Sequence, residues 1–404
     1  MRALVYERSI PKFAAARVAS ALGGAANRVG PLHLTDVEEP ALPGPGWHRV
    51  RPRLAGICGS DLATVDARSS RWFEGVVSFP FVPGHEVVGD LDDGTRVVLE
   101  PVLACAARGI DPPCDACAAG HNGNCERIAF GCLEPGLQTG YCADTGGGWS
   151  HALVAHESQL HEVPAHLSDE AAVMVEPTAC AAHAVESSAI AEGAVVAVLG
   201  AGTLGLCTIA ALRRLALPGV IVAAAKHDVQ RRLAADLGAD VVAEPAEMAR
   251  AVRRQTQSLS VDGRLTGGAD VVVDCVGSAG SLEQALAVVR PKGTIVLVGM
   301  PGSVRVDLTP LWQREVRLVG SYAYRHDTFA TAFGLVADAR LERLVSALYP
   351  LERWREALDH AAASGRRGAV KIAFDLRSTK KRSSETMTTA LPSTAERSQR
   401  TRSE

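Results

Sequence analysis

From about Thr178 the chain alternates short, wholly apolar runs with amphipathic stretches. VVAVLG is followed by an Ala/Leu-rich helical pattern from Leu204, then GVIVAAA, a helix through RRLAADLG, and the runs ADVVVDCVG and GTIVLVGM. Strands alternating with helices of this length imply a parallel sheet covered on both faces. The first 165 or so residues have a different texture. They are rich in Gly and Pro, and short β-like runs (Arg49-Val50, Phe81-Val82, Arg96 to Leu99, Ala152 to Ala155) are separated by turn signals, which predicts an irregular, mostly β domain. Ala3-Leu4-Val5-Tyr6 reads as a first strand, although the arginine-bearing opening faintly resembles a presequence without a cleavage-like site. After about Tyr322 come two more helical patterns, Thr328 to Ala339 and Leu351 to Ser364, and a final strand-like AVKIAFDL, which we expect to return to the first domain.

Residues 377–404 are Ser/Thr-rich, mixed in charge and nearly free of large apolar side chains. Such a segment buries too little surface to offset its ordering entropy, so a disordered tail is expected, with its Lys380 to Arg382 triplet solvated. A length of 404 residues exceeds what a single core usually fills, which favours two domains. The net charge of −3 gives no electrostatic case for nucleic acid or an anionic membrane, and no run is long enough to span a bilayer. These features favour a cytoplasmic protein that binds a small molecule. Of the ten cysteines, Cys105, Cys114, Cys117 and Cys125 crowd one segment, which in such a chain is more often a metal site than a disulfide framework. Cys132, Cys142 and Cys180 have no patterned partners and read as core residues.

Gly200-Ala201-Gly202-Thr203-Leu204-Gly205 is a GxGxxG that follows a strand and opens a helix. The first glycine permits the tight turn, the second lets backbone approach a pyrophosphate, the third lets helix and strand pack, and the helix N-terminus offers free amides. We assign Gly200, Gly202, Thr203, Leu204 and Gly205 to a dinucleotide, together with Val276 and Gly299 at the ends of later apolar runs. The acidic residue that holds a ribose 2′-hydroxyl about twenty residues on is absent, since that place falls near Ala225. Lys226, His227 and Arg231 follow it, which favours NADP over NAD, although these are also ordinary solvated helix charges and Asp228 lies among them.

Two further patches, Gly56-Ile57-Cys58-Gly59-Ser60-Asp61 and Gly84-His85-Glu86, carry a thiolate and an imidazole suited to an open zinc site. GICGSD, PGHEVVG, the cysteine cluster and GAGTLG occur in the order found in the medium-chain zinc alcohol dehydrogenases, and the chain up to about Leu376 resembles that family, in particular its polyol and glucose dehydrogenase branch. The resemblance implies an α/β fold: a Rossmann doubly wound parallel sheet over 178–322 and a GroES-like, mostly β catalytic domain over 1–177, to which 323–376 returns. It implies a catalytic zinc on Cys58 and His85 with a third ligand at Glu176 of Val175-Glu176-Pro177, and Glu86 can coordinate in the polyol-like branch, so the carboxylate stays open. It further implies that Ser60 passes the alcohol proton outward and that Asp61 orients the imidazole, while Ala63 stands where relatives carry a relay histidine.

The family's structural zinc uses four cysteines, of which Cys114, Cys117 and Cys125 are in place. The expected first position is Asp111, leaving three options open: Cys105 as fourth thiolate, Asp111 as an oxygen ligand, or a metal-free lobe. The implied activity is hydride transfer between a secondary alcohol, such as a sugar or polyol, and NAD(P). The alternatives are an aliphatic alcohol or aldehyde reductase and a non-catalytic NADPH-binding protein. Loops around Trp72, Phe73 and Tyr322 are expected to line the pocket. Analogy within the family suggests a homodimer or homotetramer assembled at the Rossmann sheet edge, using Gly293 to Gly302.

Overall fold

The computed structural model describes residues 1–299 and 302–377. A six-stranded sheet forms one half, in the order Val241–Ala243, Val220–Ala224, Val195–Leu199, Ala269–Asp274, Val289–Leu297, Arg317–Gly320, with every pairing parallel. Numbered within this half the order is 3-2-1-4-5-6, the doubly wound arrangement whose crevice opens where the strand order reverses. The central strands are apolar on both faces because helices cover both. Val175–Ser187, Thr203–Leu215 and His326–Ala339 pack on one face, and Met248–Thr256 and Ala279–Val288 on the other.

The other half is a seven-stranded sheet built around the long strand Trp47–Gly56. Val87–Leu91 and Leu153–His156 pair antiparallel with it, and Arg96–Leu99 and Leu160–Glu162 extend the sheet outward. The last described strand, Lys371–Asp375, does return here, pairing Ala373 with Gly56. A second antiparallel pair, Arg2–Tyr6 with Leu32–Asp36, lies alongside.

Several expectations are corrected by packing. Phe81-Val82 forms no strand, and its backbone pairs with Tyr6 through an isolated bridge. Ile10–Ala21 is a helix with proline in its first turn, and Ala16 is its one buried residue. Such a helix has no apolar stripe for periodicity to reveal. Of the stretch Gly293 to Gly302, the part within Val289–Leu297 is paired on both sides and Arg317–Gly320 is the outer strand, while Met300 and Pro301 lie outside the described residues. The expected tail, apart from Arg377, lies outside the described residues. Among those described, no helix is long and apolar enough to cross a membrane.

Candidate functional site

A cavity of about 1140 Å³ runs between the two halves. Its dinucleotide end is made by Gly202, Thr203, Gly205, Val276 and Gly299. Gly200 has φ +89°, and a Cβ there would lie 2.4 Å from the Val276 side chain; a Cβ on Gly205 would lie 1.8 Å from the Gly200 carbonyl oxygen. Both glycines are therefore demanded by conformation and close approach. Gly202 precedes the helix Thr203–Leu215, whose first turn carries no acidic residue, so its amides face the crevice without a competing carboxylate.

The cationic trio at the ribose end divides. Lys226 is exposed with no partner among the described residues. Arg231 is ion-paired to Asp228 and, at 3.3 Å, to Glu244, and it donates to the Lys226 carbonyl at 3.1 Å. The His227 ring packs on Gly365, where a Cβ would sit 2.2 Å from it, so this imidazole is engaged by the returning segment.

At the opposite end, Cys58, Ser60, His85, Glu86 and Glu176 all line the cavity. Cys58 precedes the short helix Gly59–Val65, and its amide donates to Asp61 Oδ2 at 3.0 Å. Asp61 Oδ1 lies 3.4 Å from His85 Nδ1, and neither atom has another partner. This places a buried carboxylate behind the imidazole and leaves Nε2 as the free ring nitrogen. Burial pulls the His85 pKa down, but the Asp61 carboxylate and then Cys58 outweigh it, so the net direction is upward. Tyr141, absent from the sequence-based site, is buried beside His85 with ring centroids 6.1 Å apart, and its hydroxyl lies 3.2 Å from Thr64 Oγ1. Burial, with Asp61 nearby, pushes its pKa well up, while hydrogen bonds from Thr64 and Ser60 oppose the shift.

The two carboxylates differ. Glu86 is buried in an ion pair with Lys371, whose ammonium also donates to the Ile57 carbonyl at 3.3 Å. Gly56 leaves the room for this pair, since a Cβ there would lie 2.0 Å from Glu86 Oε2. Glu86 is thus committed to a cation, which sets it apart from Glu176. Glu176 is buried with no Lys or Arg ion-paired to it among the described residues; its Oε1 accepts from Tyr324 at 3.4 Å and from Cys180 at 3.6 Å. Burial raises its pKa to about 7, with the His85 charge opposing the shift. Cys180, one helical turn from Glu176, packs against the core as expected and also lines the cavity. Lys371 had a legible signal, a lone cation inside an otherwise apolar strand. Tyr141 and Tyr324 had none.

In the lobe, Cys105, Cys114, Cys117 and Cys125 bring their sulfurs within 4.8 Å of one another, while Asp111 is exposed and outside the group. Cys105 Sγ is 3.7 Å from Cys125 Sγ and accepts from the Cys114 amide at 3.4 Å. Four clustered sulfurs fit a tetrahedral structural zinc. The buried Arg108 guanidinium holds the surrounding chain, donating to the carbonyls of Leu103, Phe130, Leu133 and Gly136. Cys142 is buried with Trp47 and Leu103, but Cys132 is exposed, contrary to a core role. Phe73 and Tyr322 line the cavity; Trp72, 86% exposed, does not. The donors of Cys58, His85 and Glu176 share the cavity without converging as closely as the lobe sulfurs.

Residues 44–165 match the alcohol dehydrogenase GroES-like domain, and residues 203–338 match the zinc-binding dehydrogenase family. The chain is 26% identical to a sorbitol dehydrogenase of Halalkalibacterium halodurans over 83% of its own length and 94% of the relative's. It is 30% identical to a probable D-xylulose reductase A of Neosartorya fischeri over 75% and 82%. The alcohol dehydrogenase TADH of Thermus sp. ATN1 superposes with a TM-score of 0.70 at 26% identity, covering 93% of this chain and 100% of that one. These matches span both halves and the crevice between them, and with 30% identity over most of a relative's length the chain belongs to the zinc-dependent, NAD(P)-linked medium-chain alcohol dehydrogenases.

Proposed function

We propose that the enzyme interconverts a secondary alcohol of the polyol or sugar class and the corresponding ketone, with the catalytic zinc on Cys58, His85 and Glu176, a structural zinc on the four lobe cysteines, and NADP as the preferred cofactor. The observation that carries the reading is Glu176: a buried carboxyl facing the same cavity as Cys58 and His85, with no Lys or Arg ion-paired to it among the described residues. A thiolate, an imidazole and a carboxylate form a donor set that fits an open zinc site.

When bound, zinc supplies Lewis acidity to the substrate oxygen and the dinucleotide supplies the hydride acceptor or donor. The protein's own part is positional. Asp61 fixes the His85 ring so that Nε2 faces the cavity. Ser60, on the cavity wall with Tyr141 and Thr64 beyond it, takes the substrate hydroxyl proton and passes it outward. Lys371 is ion-paired to Glu86, while Glu176 has no ion-pair partner among the described residues. Lys226, with no acidic residue ending the strand Val220–Ala224, supports the NADP preference. Curated relatives named sorbitol dehydrogenase and L-idonate 5-dehydrogenase support the polyol class.

A second substrate reading rests on the cavity wall. Tyr6, Phe79, Phe81 and Tyr141 form a chain of ring contacts, with Tyr6–Phe81 centroids at 5.1 Å and Phe81–Tyr141 at 5.3 Å, and Phe13 of the N-terminal helix joins the mouth. That wall suits an alcohol with a large apolar substituent. Steady-state kcat/KM for polyols and for aryl and alkyl secondary alcohols, each with NADP and NAD and with or without chelator, separates the readings. A clear NAD preference refutes the cofactor assignment, and chelator-insensitive turnover refutes the zinc assignment. We also propose a homodimer or homotetramer formed at the outer strand Arg317–Gly320, beside which Trp312 is 78% exposed; a monomeric mass in light scattering refutes it.

A further inference from the structure

Away from the cavity, Glu100, His161 and His326 bring three donor atoms within 4.8 Å of one another. Glu100 follows the strand Arg96–Leu99, and His161 is central in the neighbouring strand Leu160–Glu162. His326 opens the helix His326–Ala339, which the chain enters after leaving the Rossmann sheet. His161 Nε2 and His326 Nδ1 each lie 2.8 Å from the same oxygen, Glu100 Oε2.

The cluster holds donors but no Lys or Arg among the described residues. The Glu100 side chain is 2% exposed, and among the described residues its ion-pair partners are these two imidazoles, with no Lys or Arg. One carboxylate oxygen and two imidazole nitrogens gathered in a partly buried place, without a Lys or Arg beside them, are a donor set that a divalent cation can complete. The donors are also pre-set. His161 is held by Phe329, with ring centroids 4.5 Å apart, and its ring lies 5.2 Å from that of His326. The His326 side chain is 55% exposed, so an ion has an entry path and a coordination position open to water.

We propose that Glu100, His161 and His326 form a further divalent-metal site of the zinc class, separate from the catalytic and lobe sites. One carboxylate oxygen and two imidazole nitrogens are a recognised zinc donor set, and bonds of about 2.0–2.2 Å require donor separations of roughly 3.3 Å, a small expansion of the present contacts. The bound ion joins the catalytic sheet to the segment leaving the Rossmann sheet. That segment also carries Tyr324, whose hydroxyl lies 3.4 Å from Glu176.

The test uses the purified holoenzyme. Zinc retained after dialysis is counted, and Zn²⁺ is then added against a competing chromophoric chelator, for the wild type, His326→Ala and His161→Gln. His326 is half-exposed, so its substitution leaves the core packing in place, and the second variant checks the buried arm. The proposal expects that, at the free zinc level where the wild type fills its weakest site against the chelator, the wild type holds one more equivalent than either variant, because each variant binds there at least tenfold more weakly. Equal totals and affinities in all three proteins overturn it and leave a hydrogen-bonded cluster only. This outcome is independent of the catalytic zinc, which is read from Cys58 and His85 variants.

Discussion

Replacing Glu176 by Gln tests whether this buried carboxyl is held for chemistry at the expense of stability. Its pKa rises from 4.5 to about 7, chiefly through burial. A carboxyl raised this far binds its proton more tightly in the folded than in the unfolded chain. Below pH 4.5 both states are protonated and nothing is lost; between 4.5 and 7 stability falls as pH rises; above 7 the full cost is present. That cost is about 3 kcal/mol, at about 1.4 kcal/mol per pKa unit. Glutamine carries no charge and still accepts from Tyr324 and Cys180, while its amide hydrogens return about 1 kcal/mol of the gain. The metal-stripped E176Q protein should therefore match the metal-stripped wild type at pH 5 and exceed it by about 2 kcal/mol at pH 8, a rise of several degrees in Tm by roughly 2–4 °C per kcal/mol. The assay is paired thermal unfolding at pH 5, 6, 7 and 8, with turnover measured on the zinc-loaded proteins, where E176Q should be severely impaired. A Tm difference that does not grow with pH, or a variant less stable at pH 8, refutes the reasoning.

Lys371→Met leaves Glu86 buried without its cation, and breaking such a pair should cost about 3–5 kcal/mol, read by thermal unfolding, with K371M/E86Q recovering much of it. Cys105→Ser should remove one equivalent of zinc and lower Tm, whereas Asp111→Asn should change neither; a zinc count unchanged in C105S contradicts the lobe assignment. Asp61→Asn should weaken catalytic zinc retention by about 10- to 100-fold in chelator competition, because Asp61 is what orients His85.

Much of the architecture was legible because its signals are local. VVAVLG followed by GAGTLG fixes a strand, a turn and a helix within one short segment, and parallel strands buried on both faces leave continuous apolar runs. The placement of Cys58 beside His85 was legible only through motif order, since nothing local to GICGSD or PGHEVVG says that Trp47–Gly56 and Val87–Leu91 pair side by side. The helix Ile10–Ala21 was missed because one buried alanine makes no stripe. The place of Cys180 on the cavity wall was not legible, because a thiol one turn from Glu176 looks, in sequence, like any small apolar residue of a buried helix. The choice between Glu86 and Glu176 could not be made without knowing that Lys371, nearly three hundred residues from Glu86, reaches it across the sheet. Glu100, His161 and His326 are similarly scattered, and only strand pairing and the following helix gather them.

The central claim is a catalytic zinc on Cys58, His85 and Glu176, and zinc counted per chain in dialysed Cys58→Ala and His85→Ala enzyme, alongside turnover with NADP, tests it most directly. The account predicts that each variant loses one equivalent relative to the wild type and falls to background turnover, with the lobe zinc retained. Full zinc content and full activity in either variant would contradict it.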